Sequence, residues 1–205
     1  MTDQLIIIGG GGHGKVVAEI AELNGKYKKI NFLDDGDLLT CGDYKVVGKV
    51  KDAKNYLQNA DFFVAIGNNA VRKRITEELL SLGANIVTLI HPNAVVSKSA
   101  KIGKGVAIMA GAIINPYSEV LDGAIVNTCS SIDHDCLVGK YSHLAVGVHV
   151  AGTVKIGANC FLGAGSIIKN NVNVCDDVLL GAGAVVVKDI DNKGTYVGVP
   201  AKIKD

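Results

Sequence analysis

Sixteen positions spaced six residues apart, from Val96 to Val186, hold only Val, Ile or Leu, and this run occupies nearly half of a 205-residue chain. The series passes through Ile102, Ile108, Ile114, Ile132, Val138, Leu144, Ile156, Leu162 and Leu180. Four residues after each of the first fifteen stands Ala, Val, Ser or Cys, from Ala100 and Val106 to Ser166 and Ala184. With Val, Ile and Leu filling roughly a third of the stretch, sixteen consecutive hits arise by chance on the order of once in ten million.

A period of six fits neither an α-helix, at 3.6, nor an alternating strand, at 2, so it reflects a larger unit that turns every six residues. The hexapeptide β-helix is such a unit. Three six-residue faces close one coil of eighteen, and coils stacked about 4.8 Å apart pair each backbone amide with the coil above or below. The large aliphatic fills the axis of the prism. The small residue four later fits the corner beside it, where Leu or Phe would overfill the core. Gly after the aliphatic, as at Gly103, Gly139, Gly157, Gly163 and Gly181, is expected to serve a backbone that turns repeatedly. About five coils result, and no insertion extends a long loop from them. A site on the prism must then use its own faces or a neighbouring subunit.

Residues 1–90 read differently. Leu5–Ile8 predicts a buried strand, Gly9 to Gly12 a loop, Val16–Leu23 a helix ended by Gly25, and Ile30–Leu33 a strand followed by Asp34 and Asp35. Asp61–Ile66 predicts another buried strand, Gly67-Asn68-Asn69 a turn and helix cap, Val71–Leu82 a helix stopped by Gly83, and Ile86–Ile90 a last strand. Strand and helix alternate as in a small, Rossmann-like parallel sheet with covering helices. The boundary falls near His91-Pro92, giving an α/β domain over 1–90 and a β-helix with a C-terminal tail over 91–205.

Charge is nearly balanced, 21 − 20 = +1, which indicates neither a nucleic-acid footprint nor a basic membrane patch. The only early apolar run, Leu5 to Ile8, is too short for a signal peptide or a membrane-spanning helix, so a cytoplasmic location is expected. Five cysteines are an odd number, and Cys136 and Cys160 fall in the small-corner register, where buried free thiols are expected.

Two segments carry chemistry. Gly9-x-Gly11-x-x-Gly14 matches the dinucleotide fingerprint formally, with Asp34 twenty residues beyond Gly14. Bare glycines at a helix start let amides approach an anion, so the loop suits a phosphate. A nucleotide attached to a substrate, NAD, and a purely structural turn are the readings open here. The second segment is Asn127 to Cys136, with His143 and His149 after it. Ile132 and Cys136 take the two inward registers, which leaves Asp133, His134 and Asp135 on the outer surface. A histidine between carboxylates can be fixed in one tautomer and made more basic, as a proton acceptor requires; a solvated polar turn is the plainer alternative. No metal site is expected. His134, His143 and His149 are nine and six apart, not multiples of eighteen, so they do not stack on one face.

The motifs "GGGGHGKVV", "FLDD" and "AIGNN", followed by "NTCSSIDHDCLVG", "SHLAVG", "FLGAG" and "YVGVPAK", resemble those of the sialic-acid O-acetyltransferase-like hexapeptide sugar acetyltransferases. Within that group the chain looks most like the UDP-4-amino-sugar N-acetyltransferases of bacillosamine biosynthesis. The resemblance covers essentially the whole chain. It implies an acetyl-CoA-dependent N-acetyltransferase acting on the 4-amino group of a UDP-linked sugar. It also implies a left-handed coil and a homotrimer with acetyl-CoA between subunits. His134 corresponds to the general base, and Asp135, where the compared relative has Glu, to the acid that raises its basicity. Asn127 corresponds to a residue near the sugar. His143 corresponds to one beside the thioester, and Gly152, Ala164 and Ala182 to further cofactor contacts. Gly11, Gly12, His13, Asp34, Asp35 and Gly67 correspond to the sugar-nucleotide site. O-acetylation of a sialic-acid-type sugar and N-acetylation of a dTDP-amino sugar are the neighbouring alternatives. A non-catalytic hexapeptide scaffold and an NAD-linked enzyme are the alternatives of other classes.

Overall fold

The computed structural model describes residues 2–204 and divides into two compact units, Met1–Pro92 and Asn93–Asp205. In the second unit a two-residue strand recurs every six residues, and the strands assemble into three parallel sheets that form the three faces of a prism. Each strand pairs with the one eighteen residues on: Ile125 with His143 on the first face, Ser131 with His149 on the second, Leu137 with Lys155 on the third. The register follows from the side chains. Every axial aliphatic from Ile108 to Val186 and every corner residue from Val106 to Ala184 is buried, as the six-residue pattern requires. Val96 and Ile102, in the first coil, are half-buried.

The corners explain why Ser and Cys share a register with Ala and Val. The buried Ser130 hydroxyl donates to the Ala145 carbonyl at 2.8 Å and accepts the Val148 amide at 3.3 Å, so a polar group is satisfied between two coils. Cys136 repeats the arrangement with a thiol, donating to the Ala151 carbonyl at 3.1 Å. Cys160 does likewise toward Cys175, and burial pushes its thiol up to about 11. All five cysteines are free.

The role expected for the glycines is corrected. The backbone turns in the left-handed region at a different place, three residues after the axial aliphatic, from Gly105 to Gly183. Fourteen consecutive such positions have φ between 56° and 69°, six of them Gly and eight of them Tyr117, Cys129, Asp135, Tyr141, Thr153, Asn159, Asn171 and Asp177. Gly103, Gly139, Gly157, Gly163 and Gly181 do not belong to this series. What excludes a side chain there is the next coil: a Cβ on Gly163 would lie 2.6 Å from the Ala182 nitrogen and the Leu180 oxygen. These glycines permit close stacking, not turning. The chain closes the prism with Gly194–Val197, parallel to Val178–Leu180, and Lys202–Ile203, antiparallel to it.

The first unit is a mostly parallel sheet built from β1 (Gln4–Ile8), β2 (Lys29–Leu33), β3 (Thr40–Cys41), β4 (Tyr44–Val46), β5 (Asp61–Val64) and β6 (Asn85–Ile86), in the order β3-β4-β2-β1-β5-β6. Only the β3–β4 pair is antiparallel, a hairpin at the sheet edge. Helix α1 (Gly12–Leu23) links β1 to β2, and α2 (Asn69–Ser81) links β5 to β6. The uninterrupted apolar runs of β1 and β5 are buried on both faces, as a doubly covered parallel sheet demands. Helix α1 starts four residues before the expected Val16, within the glycine loop. The expected strand Ile86–Ile90 is split, with Leu89–Ile90 a separate strand. Among the described residues no helix is long and apolar enough to cross a membrane.

Gly163→Ala and Gly165→Ala separate the two roles of glycine. Gly165 has φ +68° and open space around its Cβ position, so alanine there costs about 1 kcal/mol of backbone preference. Gly163→Ala must push two coils apart and lowers the thermal midpoint substantially more. Equal midpoints for the two variants in a calorimetric scan would contradict this division.

Candidate active site

Asp133, His134 and Asp135 occupy the corner between the second and third faces, after the strand Ser131–Ile132. The turn that brings the chain round this corner is Asp135 itself, at φ 57°. In that conformation its carboxylate reaches back to the preceding ring, with Oδ2 2.8 Å from His134 Nδ1. The carboxylate accepts Nδ1–H, which fixes the neutral ring with its lone pair on Nε2. The Asp135 hydrogen bond, and after it the charge of Asp133, raise the His134 pKa above its ordinary 6.5. Asp133 is itself held: its Oδ1 accepts the His134 amide at 2.8 Å and Asn115 Nδ2 at 2.9 Å, which lowers its carboxyl pKa. Asn115 lies eighteen residues before Asp133, one coil below. Sequence reasoning passed over it, although that offset was the signal that could have found it.

One coil above, the Thr153 amide donates to the His134 carbonyl at 2.9 Å, and Gly152 lies against the imidazole. A Cβ on Gly152 would come within 2.6 Å of His134 Nε2, so the ring takes this position only because residue 152 has no side chain. His134, Asp135 and Gly152 are therefore brought together.

Asn127, His143, Ala164 and Ala182 are not at that corner. Asn127 follows the strand Ile125–Val126 of the first face, and its Nδ2 lies 3.3 Å from Nε2 of His143 on the strand one coil above. His143 is buried with its ring edge-on to Phe161, the centroids 5.1 Å apart. Ala164 and Ala182 stack eighteen residues apart at the corner between the first and second faces, where Gly183 donates to the Ala164 carbonyl at 2.9 Å. The expected prism residues thus form two groups, one at the corner of His134 and the other on the first face and the corner that follows it. His149 belongs to the second face, its Nδ1 2.8 Å from the Ser131 hydroxyl. Among the described residues no group of three or more His, Cys, Asp or Glu is arranged to hold a metal ion.

In the first unit the loop after β1 has three kinds of glycine. Gly9 has φ 105°, a Cβ on Gly14 would strike the Gly9 carbonyl and the Phe32 ring, and Gly11 and Gly12 face open space. Gly11 is the N-cap of α1 and makes no side-chain cap, the kind of helix start at which an anion can be held. His13 lies in the first turn of α1, half-buried. Gly67, after β5, is also open, and the buried Arg72 guanidinium donates to the carbonyls of Ile66 and Gly67 at 2.8 and 3.1 Å. Asp34 turns inward: Oδ2 accepts the Gly10 amide at 2.7 Å and Oδ1 the Gly36 amide at 2.8 Å. Asp35 Oδ1 accepts the Val50 amide at 2.9 Å, at the start of the 3-10 helix Val50–Asn55. Both acids thus brace loops at the carboxyl ends of β1 and β2, the edge where open α/β sheets bind ligands.

Residues 4–79 match the family model "PglD N-terminal domain", and residues 153–188 match "Hexapeptide repeat of succinyl-transferase". The acetyltransferase domain of PglB from Neisseria gonorrhoeae, solved in complex with acetyl coenzyme A, is 42% identical, with all of both chains covered and a TM-score of 0.97. PerB from Caulobacter crescentus, solved with CoA and GDP-perosamine, is 39% identical over 98% of this chain and 97% of that one, with a TM-score of 0.93. Among curated proteins, the UDP-N-acetylbacillosamine N-acetyltransferase of Bacillus subtilis is 39% identical over 51% of this chain and 50% of its own length. The GDP-perosamine N-acetyltransferase of Escherichia coli O157:H7 is 34% identical over 49% of this chain and 45% of its own. The chain therefore spans about half the length of the curated relatives it matches.

Asp135→Asn removes the charge behind the strongest contribution to His134 basicity. The His134 midpoint, followed by NMR of the imidazole, falls in this variant, and falls less in Asp133→Asn. An unchanged midpoint in Asp135→Asn would refute the pairing.

Proposed function

The chain belongs to the hexapeptide-repeat sugar acetyltransferases, and from that premise we propose that it transfers the acetyl group of acetyl-CoA to the 4-amino group of a UDP-linked amino-deoxy sugar in the cytoplasm. The observation that carries this reading is the His134–Asp135 pair, an exposed imidazole whose Nδ1 is occupied and whose Nε2 is left to accept a proton. His134 takes a proton from the sugar amine as its nitrogen attacks the thioester carbonyl. The new C–N bond forms, the C–S bond breaks, and the thiolate leaves with the electron pair and recovers the proton from the imidazolium. Backbone amides stabilise the oxyanion between the two events. No covalent enzyme intermediate is needed. The acetyl coenzyme A in the gonococcal relative supports the donor, and the UDP-sugar named for the Bacillus relative supports the acceptor.

The active unit we propose is a homotrimer with the left-handed coil of the family. His134 and Gly152 stand on one corner of the prism, and Ala164, Ala182 and Asn127 on another with His143 on the face beside it; in this reading a second copy brings the two groups face to face. The surface agrees: Val95, Ile113 and Ile167 are exposed on the second face, while the third presents Lys101, Glu119 and Lys155. Asn127 contacts the sugar in this reading, and His143 the thioester. The first unit binds the nucleotide, with the amides of Gly11, Gly12 and Gly67 and the side chain of His13 toward the phosphates and sugar, and with Asp34 and Asp35 shaping the base and ribose site. A GDP-linked acceptor is the second reading, favoured by the full-length likeness to PerB. Acetylation assays on UDP-, GDP- and dTDP-linked 4-amino sugars decide between them.

His134→Ala lowers turnover by roughly 10²- to 10⁴-fold with little change in nucleotide-sugar affinity. Activity within a few-fold of the parent would move the base elsewhere or leave a scaffold. Because the His134 pKa is raised, the neutral base is lost as pH falls, and kcat/KM climbs with pH to a plateau; Asp135→Asn shifts that rise to lower pH. Light scattering reports a trimer, and an active monomer would overturn the shared site. Asp34→Ala raises the KM for the nucleotide sugar and leaves that for acetyl-CoA unchanged. The opposite pattern would mean that the two ligands have been assigned to the wrong units.

A further inference from the structure

The carboxylate of Asp133 has one oxygen engaged and one left over. Both of its donors meet the same atom: the His134 amide at 2.8 Å and Asn115 Nδ2 at 2.9 Å reach Oδ1. From the coil of Asn115 the Ser118 hydroxyl also donates to the Asp133 carbonyl, so main chain and side chain are both anchored. The two bonds to Oδ1, the amide's first, hold the carboxyl below its ordinary range and keep it ionised, an acceptor with no proton to give. Among the described residues none donates to Oδ2. That oxygen lies 4.0 Å from Nε2 of His134, and both side chains are about half exposed. Nδ1 of the ring is taken by Asp135, so Nε2 and Oδ2 stand side by side as two acceptors.

We propose that the acceptor nitrogen sits between His134 Nε2 and Asp133 Oδ2 and donates one hydrogen to each, so that the site selects an amine over a hydroxyl; this rests on the acetyl-transfer reading above. With 4.0 Å between the two acceptors, a nitrogen about 2.9 Å from both sees them at roughly 90°. Each N–H of a primary amine then bends by only about 10° from its acceptor, and the lone pair is left for the thioester carbonyl. During transfer the hydrogen on Nε2 passes to the imidazole, and the one on Oδ2 stays on nitrogen as the N–H of the product amide. A hydroxyl has a single hydrogen. With that hydrogen on Nε2, where the base needs it, the oxygen's lone pairs face the Asp133 carboxylate and Oδ2 has no partner. Asn115 is a positioning residue in this arrangement, since it fixes which carboxylate oxygen is presented.

Asp133→Asn tests the single atom. Asn115 and the His134 amide both donate, so the new side chain keeps its oxygen at the Oδ1 position and puts its NH2 where Oδ2 was, an acceptor turned into a donor with the anchors kept. Calorimetry on the full chain, at the pH of the activity plateau, compares UDP- and GDP-linked 4-amino sugars with their 4-hydroxy counterparts. The parent binds the amino form of its nucleotide sugar about tenfold or more tightly than the hydroxy form, the worth of one charge-assisted bond. Asp133→Asn brings that ratio to one or below by weakening the amino form, and Asn115→Ala lowers it by less. In turnover on the same plateau, Asp133→Asn raises the KM for the amino sugar and leaves that for acetyl-CoA unchanged. A parent without the preference, or a variant that weakens both sugars alike, as a purely structural role would, overturns the placement. A preference that Asp133→Asn abolishes in a protein that transfers no acetyl group would sink the acetyl-transfer reading instead and leave the amine site.

Discussion

The pairing of each residue with the one eighteen further on is the constraint from which the rest of the prism follows. A two-residue strand has no stability of its own, and here it persists because its amides bond a coil on each side while its inward side chain is buried between the same neighbours. The same pairing supplies functional groups with their supports. Asn115 meets Asp133, Gly152 meets His134, and Ser131 meets His149 at one-coil offsets. A side chain on this surface is placed by its column more than by its neighbours in sequence.

The price of closing such tight corners is a left-handed residue every six positions, at about 1–2 kcal/mol wherever that residue is not glycine. Four of the eight non-glycine positions are Asp or Asn, whose short polar side chains tolerate this region best. At Asp135 the tolerated residue is also the useful one. The turn that points the backbone round the corner lets the carboxylate fold back onto the imidazole beside it, so the corner and the imidazole–carboxylate pair are made by one residue.

How much of this was legible depended on how far each signal repeats. The axial and corner registers repeat throughout the prism, and burial follows them from Val106 to Val186. The glycines beside the axis repeat too, but a one-dimensional pattern does not say whether a missing Cβ serves a positive φ or a neighbouring coil. Stacking decided for the neighbour. The hairpin Thr40–Val46 and the short helix Val50–Asn55 left no periodic trace, because two- and three-residue strands and a single-turn-scale helix are too brief to show one. The motif Asn127 to Cys136 reads as one site in sequence, yet Asn127 and His134 lie at successive corners, since six residues advance the chain by one whole face.

The acid after β2 shows a different limit. An Asp at the end of the second strand reads as a ligand for ribose or base, but Asp34 spends both oxygens on the amides of Gly10 and Gly36. Gly10 is gripped from the other side as well, by the buried Cys41 thiol, which donates to its carbonyl at 3.2 Å. A glycine-rich loop left to itself would carry the largest backbone entropy of any segment, and ordering it on binding would cost affinity. Clamped at Gly10, the loop offers the open positions Gly11 and Gly12 already fixed at the helix start. Asp34 and Cys41 therefore act on the loop, and under the proposed nucleotide site their contribution to binding is made before the ligand arrives.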